Sequence, residues 1–123
     1  MREPDFFRGT LSLATTVTDN LNSTLQQRGM DRISGEEGVI KVKSTVVAAS
    51  GGLLFLTIRV GQRQQITDYA IPAEEAVGAG PTSRIAALVV KGYRGDQIFI
   101  QARNPTGGTV VVTFEVALLN IGR

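Results

Sequence analysis

The chain has 123 residues, of which 42% are hydrophobic, 20% charged and 6% aromatic, with no histidine, cysteine or tryptophan. This is the composition of one globular domain, large enough to bury roughly two-thirds of its unfolded surface. The formal charge of +2, from 13 basic and 11 acidic residues, is too small and too scattered to mark a nucleic-acid binder, and without His or Cys the usual nucleophilic triads, zinc sites and disulfides are excluded.

Residues 1–8 mix charge with Phe6 and Phe7 and read as an N-terminal arm. No apolar run comes after Met1-Arg2-Glu3-Pro4-Asp5, so it is not read as a secretory signal. The lack of cysteine leans towards intracellular synthesis. The longest apolar runs, near 46–49, 53–56 and 85–90, are far short of a membrane span.

Residues 9–18 place Leu11, Leu13 and Val17 on one parity and Thr10, Ser12, Thr16 and Thr18 on the other, the period of a half-buried strand. Residues 19–35 open with the cap and turn formers Asp19, Asn20, Asn22 and Ser23. Two readings fit this segment. One is a short helix over 23–28 that buries Leu21, Leu25 and Met30 and ends at Gly29; the other is an irregular excursion with one more strand.

Residues 39–49 alternate Ile40, Val42, Ser44, Val46 and Ala48 against Val39, Lys41, Lys43, Thr45 and Val47. Ser50-Gly51-Gly52 reads as a tight hairpin turn into 53–60, where Leu54, Leu56, Ile58 and Val60 oppose Phe55, Thr57 and Arg59. Gly61-Gln62-Arg63 breaks the pattern, and a strand over 64–71 groups Thr67, Tyr69 and Ile71. Residues 72–82 form a loop with one helical turn over 73–77 behind Pro72. Residues 84–90 and 97–103 read as strands on either side of the turn Tyr93-Arg94-Gly95-Asp96. After the turn Asn104-Pro105-Thr106-Gly107-Gly108 comes a last strand over 109–119. In it Val110, Val112, Phe114, Val116 and Leu118 oppose Val111, Thr113, Glu115, Ala117 and Leu119. Residues 120–123 are left as a tail.

Seven or eight short strands with Gly, Pro or Asn turns and at most one short helix indicate an all-β, antiparallel β-sandwich or barrel. The strands over 85–90 and 110–119 are apolar on both parities. Their second face is covered by the 19–35 excursion or a loop, or else by another subunit.

Little in the chain carries chemistry. Glu36/Glu37 and Glu74/Glu75 are adjacent acids in loops and read as solvated charge, and Glu115 as an outward residue or ion-pair partner. No catalytic, metal or cofactor site is assigned. Gly78-Ala79-Gly80-Pro81 lacks the Lys-Ser/Thr ending of a phosphate loop, and Arg94-Gly95-Asp96 reads as turn chemistry rather than an adhesion motif. Oligonucleotide binding would combine Phe55 and Phe99 with Arg59, Lys41 and Lys43, but bases and aromatics are too thinly interleaved, so direct nucleic-acid binding is not expected. Tyr69 and Tyr93 offer a thin case for sugar. The candidate interface residues are Arg2, Phe6, Phe7 and Arg8 in the arm, Phe55, Arg59 and Phe99 on strands, Val111 and Leu119 on the last strand, and Arg123 in the tail.

The short-strand body, polar arm, Val-rich final strand and total lack of His and Cys resemble the small jelly-roll cement or decoration proteins of tailed bacteriophage capsids. The resemblance spans the whole chain as a pattern and rests on no diagnostic motif. It implies a jelly-roll-like fold and a homo-oligomer, dimer or trimer. It further implies that the protein is made in the host cytoplasm and sits on the capsid exterior, where it clamps neighbouring copies of the major capsid protein. The runner-up reading is a soluble β-sandwich module that binds carbohydrate, peptide or single-stranded nucleic acid. No membrane partner is expected.

Overall fold

The computed structural model describes residues 5–14, 18–47, 54–74, 78, 80–82, 85–106 and 108–122. It contains eight strands and one helix, in chain order β1 (Asp5–Leu13), β2 (Thr18–Asn20), α1 (Asn22–Gln27), β3 (Glu37–Val46), β4 (Phe55–Val60), β5 (Arg63–Ala70), β6 (Leu88–Tyr93), β7 (Ile98–Arg103) and β8 (Val110–Ile121). They form two four-stranded antiparallel sheets ordered β1-β8-β3-β6 and β2-β7-β4-β5. This is the strand order of a jelly roll, in which the chain passes from sheet to sheet and closes two Greek keys.

The core is the space between the two inner faces. Phe7, Leu13, Ile40, Val42, Val46, Val90 and alternate residues of β8 from Val110 to Leu118 enter it from one sheet. Leu56, Ile58, Val60, Ile98, Ile100 and Ala102 enter it from the other. Aliphatic side chains dominate, so strand alternation alone positions most of the buried surface.

Of the consecutive strand pairs, β4 and β5 alone are neighbours in a sheet. The hairpin expected at Ser50-Gly51-Gly52 is therefore corrected: β3 and β4 lie in different sheets, and the turn itself falls outside the described residues. Turn composition records that the chain reverses, but not where the next strand docks.

The expected arm is also redrawn, because Asp5–Arg8 is the first half of β1 and pairs with Leu118 back to Glu115. At the other end, Asn120 and Ile121 belong to β8. Asn120 Oδ1 accepts the backbone N–H groups of Ser34 (2.9 Å) and Gly35 (3.1 Å), fastening the loop before β3.

The short helix forms as its apolar spacing suggests. Leu25 is fully buried, Leu21 and Met30 nearly so, and Gly29 takes the left-handed conformation (φ 69°) just past the end. β2 covers only part of the β7 edge. Beyond it, Leu21 N–H donates to Ile100 O (2.8 Å) and Ile98 N–H to Asp31 O (2.8 Å), so the excursion returns to complete that edge.

β5 departs from simple alternation. Leu56 pairs with Tyr69 and Ile58 with Ile66, so β5 carries an extra residue there, with Asp68 at φ 49°. The bulge lets Ile66 and Tyr69 both pack on the core, while Thr67 is exposed. Thr67, Tyr69 and Ile71 therefore do not share a face as alternation predicts. Ala73 makes a parallel bridge to Val46 rather than opening a helical turn, and residues 75–77 lie outside the described set. The strand expected over 84–90 instead begins at Leu88.

Candidate functional site

The acidic residues divide into surface charge and structural clamps. Glu36 and Glu37 are exposed. Glu74 is not the solvated loop acid the sequence suggests: it is 7% exposed, and its carboxylate accepts N–H from Gly78 (3.1 Å) and Gly80 (3.0 Å). It gathers the loop between β5 and β6 around itself, and Glu75 lies outside the described residues. Glu115 pairs with Arg8 at 3.0 Å across β8 and β1, matching the ion-pair reading. In the turn after β6, Asp96 Oδ2 accepts the N–H of Tyr93 (2.8 Å), a local structural role. Among the described residues no three acids cluster as metal ligands would, and no helix is long and apolar enough to cross a membrane.

The two outer sheet faces hold the remaining candidates. On β1-β8-β3-β6, one end is roofed by the chain's own loop. Gly80, at φ 61°, lies so close to Arg8 and Thr113 that a Cβ there would run into the Arg8 guanidinium. Lys43 Nζ reaches Thr82 O (3.4 Å), and Thr45 and Thr113 are buried beneath.

The other end of this face has no such roof. Phe6 is 57% and Val89 51% exposed, with Val39, Ala117 and Leu119 half-buried beside them. Two shallow grooves run through this strip. One of about 220 Å³ is lined by Val39, Lys41, Ala117 and Leu119, and one of about 130 Å³ by Phe6, Lys41, Lys43, Ala87, Glu115 and Ala117. A loop thus covers one half of the second face, as one reading of the two-sided strands has it, and the other half stays open, with the exposed Lys41 among its apolar residues.

The sheet β2-β7-β4-β5 presents a different outer face. Register places Phe55 opposite Arg103 and Arg59 opposite Phe99. Each guanidinium lies over the facing ring, at 4.9 Å for Arg103 on Phe55 and 4.7 Å for Arg59 on Phe99. Arg103 also pairs with Asp68 at 3.3 Å.

The expected interface residues therefore separate. Phe6, Arg8 and Leu119 share the first face, and Val111 lies at its roofed end, where its carbonyl accepts Val47 N–H (2.8 Å). Phe55, Arg59 and Phe99 share the opposite face. Phe7 is corrected: it is 4% exposed, a core residue with the Arg28 guanidinium over its ring at 5.8 Å. Arg2 and Arg123 lie outside the described residues.

Lys41 and Lys43 project from the sheet opposite Phe55 and Phe99, so they line no common groove with those rings. Tyr69 packs on the core while Tyr93 is 58% exposed, so the two tyrosines do not form one platform.

Sequence reasoning missed Val39, Val89 and Ala117 as members of the bare strip. The signal was present, since apolar residues recur on the second parity of neighbouring strands. It could be read only once β3, β6 and β8 were known to be adjacent. The chain matches no protein-family model, and no curated protein aligns with it significantly.

Proposed function

We propose that this protein is a structural virion component that decorates or cements a phage capsid, binding other subunits through the outer face of β1-β8-β3-β6. The observation that carries the reading is the bare apolar strip of Phe6, Val39, Val89, Ala117 and Leu119. Isolated exposed apolar residues are ordinary on a protein surface, but a group of them gathered on one face from four neighbouring strands, around a single lysine, marks an interaction site. The jelly-roll strand order supports the reading, since capsid domains are among the users of that architecture.

The mechanism is burial without turnover. At ~25 cal/mol per Å², a few hundred Å² of apolar contact supplies several kcal/mol at each site, before association costs are subtracted. Repetition over a lattice multiplies the stabilisation while each contact stays modest. Two or three copies act as one unit on the shell exterior, each burying its strip against a neighbouring subunit. Lys41 lies within the strip, between Ala117 and Val89 in register, and Lys43 lies beside it; both supply complementarity to acidic groups on that partner.

The test is co-sedimentation of the purified protein with shells assembled from the capsid protein encoded beside its gene. Saturable binding and a raised shell melting temperature are expected. A strict monomer that ignores such shells, or a gene neighbourhood without a capsid protein, contradicts the reading.

A further inference from the structure

At one end of the sandwich three connections converge: the β4–β5 turn at Gly61-Gln62, the β6–β7 turn at Gly95-Asp96, and the return from α1 at Arg32, which bridges to Gln97. They enclose an open cleft of about 380 Å³ lined by Arg32, Arg59, Gln62, Asp96, Gln97 and the two glycines. Its size suits a small ligand or a single charged group on a larger one.

The donors in this cleft are fixed in place. Arg32 Nη1 donates to Gly95 O (3.2 Å), which anchors one corner of its guanidinium. Arg59 lies stacked over Phe99 at 4.7 Å. Neither has a carboxylate partner among the described residues, whereas Arg8 and Arg103 do. The carboxylate in the cleft, Asp96, is held by its own loop through Oδ2, which accepts Tyr93 N–H, while its Oδ1 lies against Gly61. Two arginines and two glutamines thus line one cleft, with a net charge of +1 from the two arginines and one aspartate.

We propose that this cleft is a binding site for a tetrahedral oxyanion, a phosphate or sulfate ester group. Arginine forks match such oxygens in pairs, and holding them by stacking and a backbone bond lowers the ordering cost of binding. Polar side chains arriving from β4 and from separate connections suit a tetrahedral group, whose oxygens point several ways. A carboxylate is planar and is satisfied by one fork. The site shares no lining residue with the apolar strip and does not depend on the capsid reading.

The experiment titrates methyl sulfate, inorganic phosphate and acetate into ¹⁵N-labelled protein. Arginine Nε–H and glutamine side-chain amide signals are followed at low salt. Signals of Arg32, Arg59, Gln62 and Gln97 should shift saturably with methyl sulfate and phosphate, and only weakly with acetate. Arg32→Gln and Arg59→Gln should each weaken binding on the order of tenfold, as loss of a charged hydrogen bond does. Arg94→Gln, on the turn outside the cleft, should leave it unchanged.

Equal response to acetate, equal loss in all three variants, or no shift of the cleft signals in the unmodified protein would overturn the proposal. The wild-type titration decides even if a variant fails to fold. If methyl sulfate binds and free phosphate does not, the group recognised is a monoanionic ester.

Discussion

Asn104 is fully buried and its carboxamide joins two parts of the chain. Its Nδ2 donates to the carbonyls of Leu13 (3.0 Å), Ala14 (3.0 Å) and Gly108 (2.8 Å), and its Oδ1 accepts from Thr106 N–H (2.9 Å) and Oγ1 (2.6 Å). The end of β1 is thereby fastened to the β7–β8 turn. Asn104→Ala strands several buried backbone groups at once, and we expect it to destabilise the fold by about 3 kcal/mol, measured by urea unfolding. A loss below about 0.5 kcal/mol would contradict the role given to it. Thr45 is the opposite case. It is 0% exposed, yet among the described residues its Oγ1 has no hydrogen-bond partner. Thr45→Val keeps the shape and removes an unmet hydroxyl, so stability should hold or rise by up to about 1 kcal/mol. A marked loss in the same unfolding assay would reveal a partner for that hydroxyl. Neither residue could be ranked from sequence. Asn104 was legible as a turn former, but its acceptors lie up to 91 residues away, and nothing local marks Thr45 as roofed.

Among the elements, strands were the most legible because alternation is a local property. β4, β7 and β8 present the faces that their parity implies. β5 was misread because its register with β4 shifts twice, between Leu56 and Ile58 and again between Ile58 and Arg59, so simple parity does not carry through it. The segment that roofs one end of the sheet was read correctly as a loop, but its placement depends on the buried Glu74 carboxylate and on Gly80. Gly80→Ala would put a side chain in a left-handed backbone against Arg8, whose ion pair with Glu115 is displaced as a result. We expect a loss of about 1–3 kcal/mol, with faster amide hydrogen exchange at Thr45 and Thr113 as the loop lifts. Unchanged exchange would mean that the loop is held elsewhere.

At the scale of the molecule, pairing is dominated by strands distant in sequence, as when Asp5 of β1 faces Leu118 of β8. Such topology folds slowly, so stopped-flow refolding should run in milliseconds to seconds rather than microseconds. Sheet order is also why the candidate surface was only half legible. Phe6 and Leu119 were singled out individually, but their union with Val39, Val89 and Ala117 exists only because β8 lies between β1 and β3, with β6 beyond. The most direct measurement is shell binding by the double variant Val39→Asp/Leu119→Asp, set against Thr57→Asp on the opposite sheet, with both checked for native circular dichroism. Burying two new carboxylates should weaken binding at least a hundredfold, while Thr57→Asp binds like the wild type. Undiminished binding by the strip variant, or equal loss in both, would contradict the account.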